Sequence, residues 1–435
     1  MRLYSSLSRK KEELPPPPGP IGMYFCGPTV YQRIHIGNAR PFVLSLWLRS
    51  WLKRRGYDVK LVENVTDIND KIYDAAARQG IGSAELAETA ARWYFEDTGA
   101  LELGRPDVEP LATETVPEIV ALIEDLIARG LAYESRGDVY FRVSRFPEYG
   151  RLSGAQLEEM VSQEPGDLKE DPRDFALWKA WKRNEDTWWD SPWGRGRPGW
   201  HIECSAMAEK HLGPSFEIHG GGLDLRFPHH ENEIAQSRGA GREFARLWAH
   251  NGMLELGTEK MSKSVGNIVS LHDALERWGR EAILVFFLGG HYRGPIEFSD
   301  VAMMQAQAQV EAFRNVLIGG ETRWTLTDPL DEWSRFEEAL NDDFSTPVAL
   351  ALLHRWRAGL GGDLLERGLS VFGLESLAEA PTPPPDVVEL AERRRAARLR
   401  QAFDEADVLR TQIELAGWGV RDVAAEPGYQ LVWNG

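Results

Sequence analysis

Three constellations in this chain combine residue types and spacings that could do chemistry. The first is His35-Ile36-Gly37-Asn38, at the point where a loop enters a helical pattern. A helix N-terminus offers free N–H groups and the positive end of the dipole, so it binds phosphate well. Gly37 would let a flat ligand approach the backbone, and His35 can donate to a phosphoryl oxygen. Taken alone, the tetrapeptide reads more simply as a histidine that caps the helix. The second is Lys260-Met261-Ser262-Lys263-Ser264, followed by Val265-Gly266-Asn267. Two lysines on a glycine-flanked loop suit neutralising a triphosphate as charge moves toward pyrophosphate, and such loops can close during a reaction. An exposed loop with chance lysines is the alternative.

The third constellation is a potential metal set. His229-His230-Glu231-Asn232-Glu233 opens a helical segment. Positions i and i+4 share a face, so His229 and Glu233 can address one ion. The chain has only two cysteines, Cys26 and Cys204, and these could add two thiolates. Two sulfurs, an imidazole and a carboxylate are ligands that zinc accepts. The bland readings stay open: two inert buried thiols, a disulfide, or a plain helix-surface pair. The separation of the cysteines resembles no finger or ribbon spacing.

Stepping outward, these residues need elements to hold them. Met23-Tyr24-Phe25-Cys26 is a short apolar run, read as a buried strand, and Gly27-Pro28-Thr29 as a turn. Phe42, Leu44, Leu46, Leu48 and Leu52 predict a helix over about 39–55, stopped by Gly56. Residues 59–65 read as a second strand. Strand, helix, strand is a βαβ unit and implies a parallel sheet. Residues 114–129 predict a helix, and 132–141 a hairpin around Arg136-Gly137-Asp138. The Trp-, Pro- and Gly-rich stretch 145–198 reads as irregular. Strands are expected at 216–219 and around 247–256, with a helix from about His229. Beyond Ser299 the pattern is helical to the end, broken by prolines at 381–385. The first 20 residues read as an extended lead-in.

Composition bounds the function. With 435 residues, 43% hydrophobic and 27% charged, the chain can bury several cores. The longest apolar runs, such as 282–288, are far short of a membrane span. The polar, basic start carries no secretory signal, so a cytoplasmic location is expected. A net charge of -17 argues mildly against gripping nucleic acid, although local distribution matters more than the total. Arg393, Arg394, Arg395, Arg398 and Arg400 form one basic cluster against that trend.

The motifs together resemble the cysteinyl-tRNA synthetases, a branch of the class I aminoacyl-tRNA synthetases. The resemblance is carried by Cys26-Gly27-Pro28-Thr29-Val30-Tyr31 running into His35-Ile36-Gly37, and by Asn64-Val65-Thr66-Asp67. It continues through Gly199-Trp200-His201-Ile202-Glu203-Cys204-Ser205-Ala206-Met207, Ile218-His219-Gly220-Gly221-Gly222 and Phe227-Pro228-His229-His230-Glu231-Asn232-Glu233, and ends with Lys260 to Asn267. It implies an α/β fold: a Rossmann-like parallel-sheet catalytic domain split by an insertion, then an all-helical C-terminal region. The implied boundaries are 1–104 and 191–255 for the catalytic halves, 105–190 for the insertion and 256–305 for a stem-contact region. A helical bundle over 306–375 and an anticodon-binding region over 376–435 complete them.

The resemblance also implies roles. Cys26, Cys204, His229 and Glu233 match zinc ligands, with the substrate thiol on the same ion. Serine would lose that bond, which gives discrimination without editing. Thr66, Trp200 and His219 match the cysteine pocket. His35, Gly37, Asn38, Gly222, Asp224, Lys260 and Lys263 match the ATP site, with His35, Lys260 and Lys263 as the catalytic phosphate-handling groups. Asn38 stands where a second histidine is frequent, and still offers a hydrogen-bond donor. Arg398, Phe403, Asp407, Arg410 and Asp422 match anticodon contacts, suited to stacking and base-edge bonds. Implied partners are ATP with Mg2+, L-cysteine and tRNA(Cys), on a monomeric chain without membrane contact. Three rivals are a cysteine ligase of mycothiol synthesis with an amino-sugar acceptor, a nucleotidyltransferase, and an inactive RNA-binding paralogue. The 407–410 helix argues against the first, the metal set against the second, and the intact motifs against the third.

Overall fold

The computed structural model describes residues 1–154, 168–256, 259–260, 269–319, 328–359, 361–380, 382–423 and 427–433. The lead-in is not simply extended: β1 (Arg2–Ser5) and β2 (Lys10–Glu13) pair antiparallel before the prolines. The βαβ unit follows as β3 (Pro20–Phe25), α1 (Ile36–Arg54) and β4 (Asp58–Glu63). Helix α1 starts three residues before the apolar pattern suggests, because His35 already has the extended backbone of an N-cap. Its apolar residues lie on all sides, and twelve of its side chains are buried, as expected of a helix inside a core.

Helices α2 (Asp70–Gln79), α3 (Ser83–Gly99) and α4 (Val116–Ala128) come next. The expected hairpin is β5 (Ala132–Ser135) with β6 (Asp138–Phe141). The stretch read as irregular is a correction: it holds β7 (Phe175–Ala180) and β8 (Gly196–Pro198), which extend the hairpin to a four-stranded antiparallel sheet. Tertiary packing of Leu177 and Trp178 supplies what local propensity did not show. Then come α5 (Trp200–Leu212), β9 (Ser215–Gly222), α6 (His229–Gly239), β10 (Phe244–Asn251) and β11 (Leu254–Leu256). The single strand expected over 247–256 is thus two strands in two sheets. The second sheet has the order β12 (Glu259–Lys260), β11, β13 (Ile296–Phe298), with α7 (Leu271–Trp278) and α8 (Arg280–Leu288) between its last two members in sequence.

The main sheet has the order β10-β9-β3-β4, all parallel. From β3 the chain crosses over α1 to β4 on one side, and from β9 over α6 to β10 on the other. The carboxyl ends of β3 and β9 therefore flank a topological switch point, where an open α/β sheet leaves a crevice. One apolar core joins this sheet to α4, α5 and the antiparallel sheet through Tyr24, Ile123, Trp178, Met207 and Trp248.

The remaining helices are α9 (Asp300–Gly319), α10 (Pro329–Asn341), α11 (Thr346–Ala358), α12 (Gly362–Leu369), α13 (Pro385–Leu399) and α14 (Phe403–Leu415). The proline run ends at the first residue of α13, where a missing N–H is harmless. The C-terminal region is helical as expected, but it closes on an antiparallel hairpin, β14 (Trp418–Asp422) and β15 (Tyr429–Trp433). The hairpin covers α13 and α14 with Trp418, Val420 and Tyr429, around Val387 and Ile413. Two compact units result: Met1–Met303 with Arg335–Ala349, and Met304–Ser334 with Leu350–Gly435.

Candidate active site

The two cysteines reach one place by different routes. Cys26 follows β3, and Cys204 lies one turn into α5. Helix α6 opens at His229, so Glu233 stands one turn further on the same face. The ligand atoms of Cys26, Cys204, His229 and Glu233 all lie within 4.8 Å of one another, and all four residues are buried. Glu233 Oε1 is 3.5 Å from Cys26 Sγ and 3.2 Å from His229 Nε2. The cysteines form no disulfide, and a buried His–Glu pair is not a surface pair. Burial pushes both thiols upward in pKa and the His229 imidazole well below its ordinary value, with like or matching charges adding to each shift. The two thiols and the imidazole are therefore neutral at neutral pH unless a cation joins them. Metal binding releases such protons, and the donor set fits zinc in type, number and proximity.

Helix α6 is unusual because its first five residues are polar and buried. Each one is used. His230 Nδ1 lies 2.8 Å from His250 Nε2, whose Nδ1 lies 2.8 Å from Ser6 Oγ. The Glu231 carboxylate accepts from the backbone N–H of Gly150, at 2.9 Å, and Ser153, at 2.8 Å. Asn232 accepts from the Tyr149 hydroxyl. His201, on α5, approaches His229 at 2.8 Å between their Nδ1 atoms. His201, His230, Glu231 and Asn232 stand within the sequence motifs without an assigned role, and Ser6, Tyr149 and His250 were not anticipated. A buried-length helix with no apolar stripe was the available signal.

Of the four, Cys26 lines a cavity of about 340 Å3 at the switch point, while Cys204, His229 and Glu233 are buried and absent from its wall. Its walls include Cys26, His35, Gly37, Asn38, Trp200, Gly222 and Asp224. The Trp200 ring stacks on His229, with centroids 4.4 Å apart. His35 makes no side-chain bond to cap α1, so it does not serve as the capping histidine. A Cβ on Gly37 would stand 2.9 Å from His35 Nδ1, so glycine is what lets that ring lie over the helix start. Pro41 has no N–H to offer the Gly37 carbonyl, which keeps that acceptor out of the helix ladder. A larger, mostly apolar cavity of about 720 Å3, walled by Ile72, Ala87, Ala91 and Phe95, holds none of the expected site residues. Chemistry rather than size therefore identifies the site.

Other expected residues are placed differently. Thr66 and His219 are buried and absent from the cavity wall. The His219 ring stacks on Trp248, and its Nε2 lies 2.8 Å from Glu233 Oε2. Thr66 pairs its backbone with Pro28 and Val30, on the loop beyond Cys26. Lys260 is placed by its main chain, opposite Glu255; Lys263 lies outside the described residues. Just after the lysine segment, Val269 accepts from the Ile36 N–H at 3.0 Å and Ser270 bridges to His35. The flank after that segment thus adjoins the first motif. In the other unit, Phe403, Asp407 and Arg410 on α14 are exposed. Asp422 on β14 receives Arg394 at 2.8 Å and Arg398 at 3.3 Å, and Arg394 holds its carboxyl below the usual range.

Comparisons with known proteins agree with this geometry. Residues 15–308 match the family described as tRNA synthetases class I (C) catalytic domain. The cysteine--tRNA ligase of Rubrobacter xylanophilus is 42% identical over 94% of this chain and 95% of its own length. That of Cupriavidus taiwanensis is 42% identical over 100% and 99%. Methionyl-tRNA synthetase of Mycobacterium tuberculosis, solved with methionyl-adenylate, shares the fold at a TM-score of 0.59 and 16% identity, over 84% of this chain and 86% of that one. The amino-sugar acceptor finds no support among these relatives. No helix among the described residues is long and apolar enough to cross a membrane. The family match over most of the chain, with full-length relatives of a single activity, places this chain among the cysteine--tRNA ligases, within the class I aminoacyl-tRNA synthetases.

Proposed function

We propose that the protein activates L-cysteine with ATP to cysteinyl-adenylate and transfers the cysteinyl group to the 3′ end of tRNA(Cys). The observation that carries this reading is that the ligand atoms of Cys26, Cys204, His229 and Glu233 converge on one point, and that Cys26 shares a cavity wall with His35, Gly37, Gly222 and Asp224. In the first step a carboxylate oxygen of cysteine attacks the α-phosphorus, and the bond to pyrophosphate breaks. In the second, the terminal ribose hydroxyl attacks the cysteinyl carbonyl carbon, and AMP leaves. The chain's part is positioning and charge stabilisation. His35 donates to phosphoryl oxygens, Asp224 accepts from ribose hydroxyls, and Gly222 admits the nucleoside. Lys260 and Lys263 neutralise the departing pyrophosphate, with Mg2+ accompanying ATP. Trp200 closes the amino-acid pocket over His229, while Thr66 and His219 support it from behind. Zinc on the four ligands supplies, when bound, a soft acceptor for the substrate thiolate, and so the selection against serine. Arg398, Phe403, Asp407, Arg410 and Asp422 contact the anticodon. The enzyme works as a cytoplasmic monomer.

The test is ATP-dependent attachment of labelled cysteine to total tRNA. Attachment of cysteine but not serine supports the reading. Cysteine-dependent pyrophosphate exchange without attachment would overturn the transfer step, and absence of both would overturn the activity.

A further inference from the structure

Arg40 lies on α1, just beyond the His35-Ile36-Gly37-Asn38 motif, and is only 3% exposed. A buried guanidinium normally pairs with a carboxylate. This one instead donates to backbone carbonyls: Nη1 to Gly252 at 2.5 Å, Gly294 at 2.8 Å and Met253 at 3.4 Å, and Nη2 to His291 at 3.1 Å. Burial lowers its pKa to about 10, so it stays charged at neutral pH.

The four acceptors belong to two segments. Gly252 and Met253, with Leu254, form part of the cavity wall. His291 and Gly294 belong to the turn before β13, and the two segments touch backbone to backbone. Gly252 N–H donates to Tyr292 O at 2.7 Å, and a Cβ on Gly252 would stand 2.1 Å from Gly294 O. Met253 O accepts from the Ile296 N–H, and β11 then pairs with β13 on one side and with Lys260 on the other. One cation thus ties the phosphate-motif helix to the opposite cavity wall and to the root of the lysine segment.

We propose that Arg40 is a positioning residue for the nucleotide, holding the 252–254 wall in register with His35, Gly37 and Asn38 on its own helix. The inference rests on the ATP reading above. Five charge-assisted N–H donors in a rigid fork suit this role, and a lysine ammonium cannot reproduce the fork.

The test is cysteine-dependent pyrophosphate exchange by the metal-loaded full chain, with KM for ATP and for cysteine measured separately in wild type, Arg40→Lys and Arg40→Met. KM for ATP should rise about tenfold or more in Arg40→Met and less in Arg40→Lys, with KM for cysteine and bound metal unchanged. An unchanged KM for ATP, or equal rises for both substrates, would overturn the inference. Should Arg40→Met fail to fold, Arg40→Lys decides by the same split. An inactive wild type would instead sink the activity reading. Calorimetric titration with a non-hydrolysable ATP analogue would then decide on Arg40 through nucleotide affinity alone.

Discussion

His219 Nε2 lies 2.8 Å from Oε2 of Glu233, while the other carboxylate oxygen, Oε1, faces Cys26 and His229. One oxygen is thereby tied behind the site and one is left for a cation. Partners of this kind orient metal ligands, and their loss typically weakens metal affinity by about 10–100-fold. His219→Phe, which keeps the stack on Trp248 but removes the nitrogen, should show a loss of that order in competition with a chromophoric chelator. Unchanged affinity would mean that packing alone holds Glu233.

Removal of a proposed metal ligand has a sharper expected outcome. Cys204→Ser, on a helix that already buries a neighbouring serine, should fold. It should lose stoichiometric zinc by elemental analysis and most cysteine-dependent pyrophosphate exchange. Dialysis of the wild type against a strong chelator should reproduce the loss, and added zinc should reverse it. Full exchange in metal-free protein would separate the cluster from substrate selection.

Glu63 gives a stability prediction with a definite sign. It ends β4 at the cavity wall, accepts from the Tyr94 hydroxyl at 2.7 Å and is buried. Burial raises its pKa to about 7, partly offset by that hydrogen bond. The folded state therefore holds a proton that the unfolded chain has released above its ordinary carboxyl pKa of 4.5. Stability should fall as pH rises from about 4.5 to about 7, and stay lower beyond it. Glu63→Gln should flatten this difference in urea unfolding at pH 5 and pH 8, because contributions shared with wild type cancel. A variant equally sensitive to pH would show that Glu63 is not the source.

The anticodon reading predicts an uncoupling. Phe403 is exposed at the start of α14, and stacking on one base is worth about 1–3 kcal/mol. Phe403→Ala should lower kcat/KM for tRNA by that order while leaving pyrophosphate exchange unchanged. Equal losses in both assays would point to general destabilisation.

Asp422 carries a related prediction. Its carboxylate is shared by Arg394 and Arg398, and Arg394 is almost fully buried. Asp422→Ala would strand a buried cation, so it should lower thermal stability as well as tRNA charging, whereas Phe403→Ala should lower charging alone. Comparing the two melting curves tests the distinction.

Residue types and local spacing were enough to set much of this protein. The i, i+4 pair His229 and Glu233 and the helix-entry motif at His35 depend on contacts a few residues apart, and the β3–α1–β4 unit shows as a local strand, helix, strand pattern, all of which the order of amino acids displays directly. Long-range packing decided the rest. Cys26 and Cys204 are ordinary buried thiols until β3 and α5 bring them to Glu233. The strands at 175–180 and 196–198 form because a neighbouring hairpin offers an edge and a core receives Leu177 and Trp178. The C-terminal hairpin forms because α13 and α14 leave Val387 and Ile413 to be covered. His219 turns its nitrogen to Glu233, and Arg40 finds four carbonyls rather than a carboxylate. A side chain's partners across the fold depend on where the backbone returns, and that is set only when the whole core has closed.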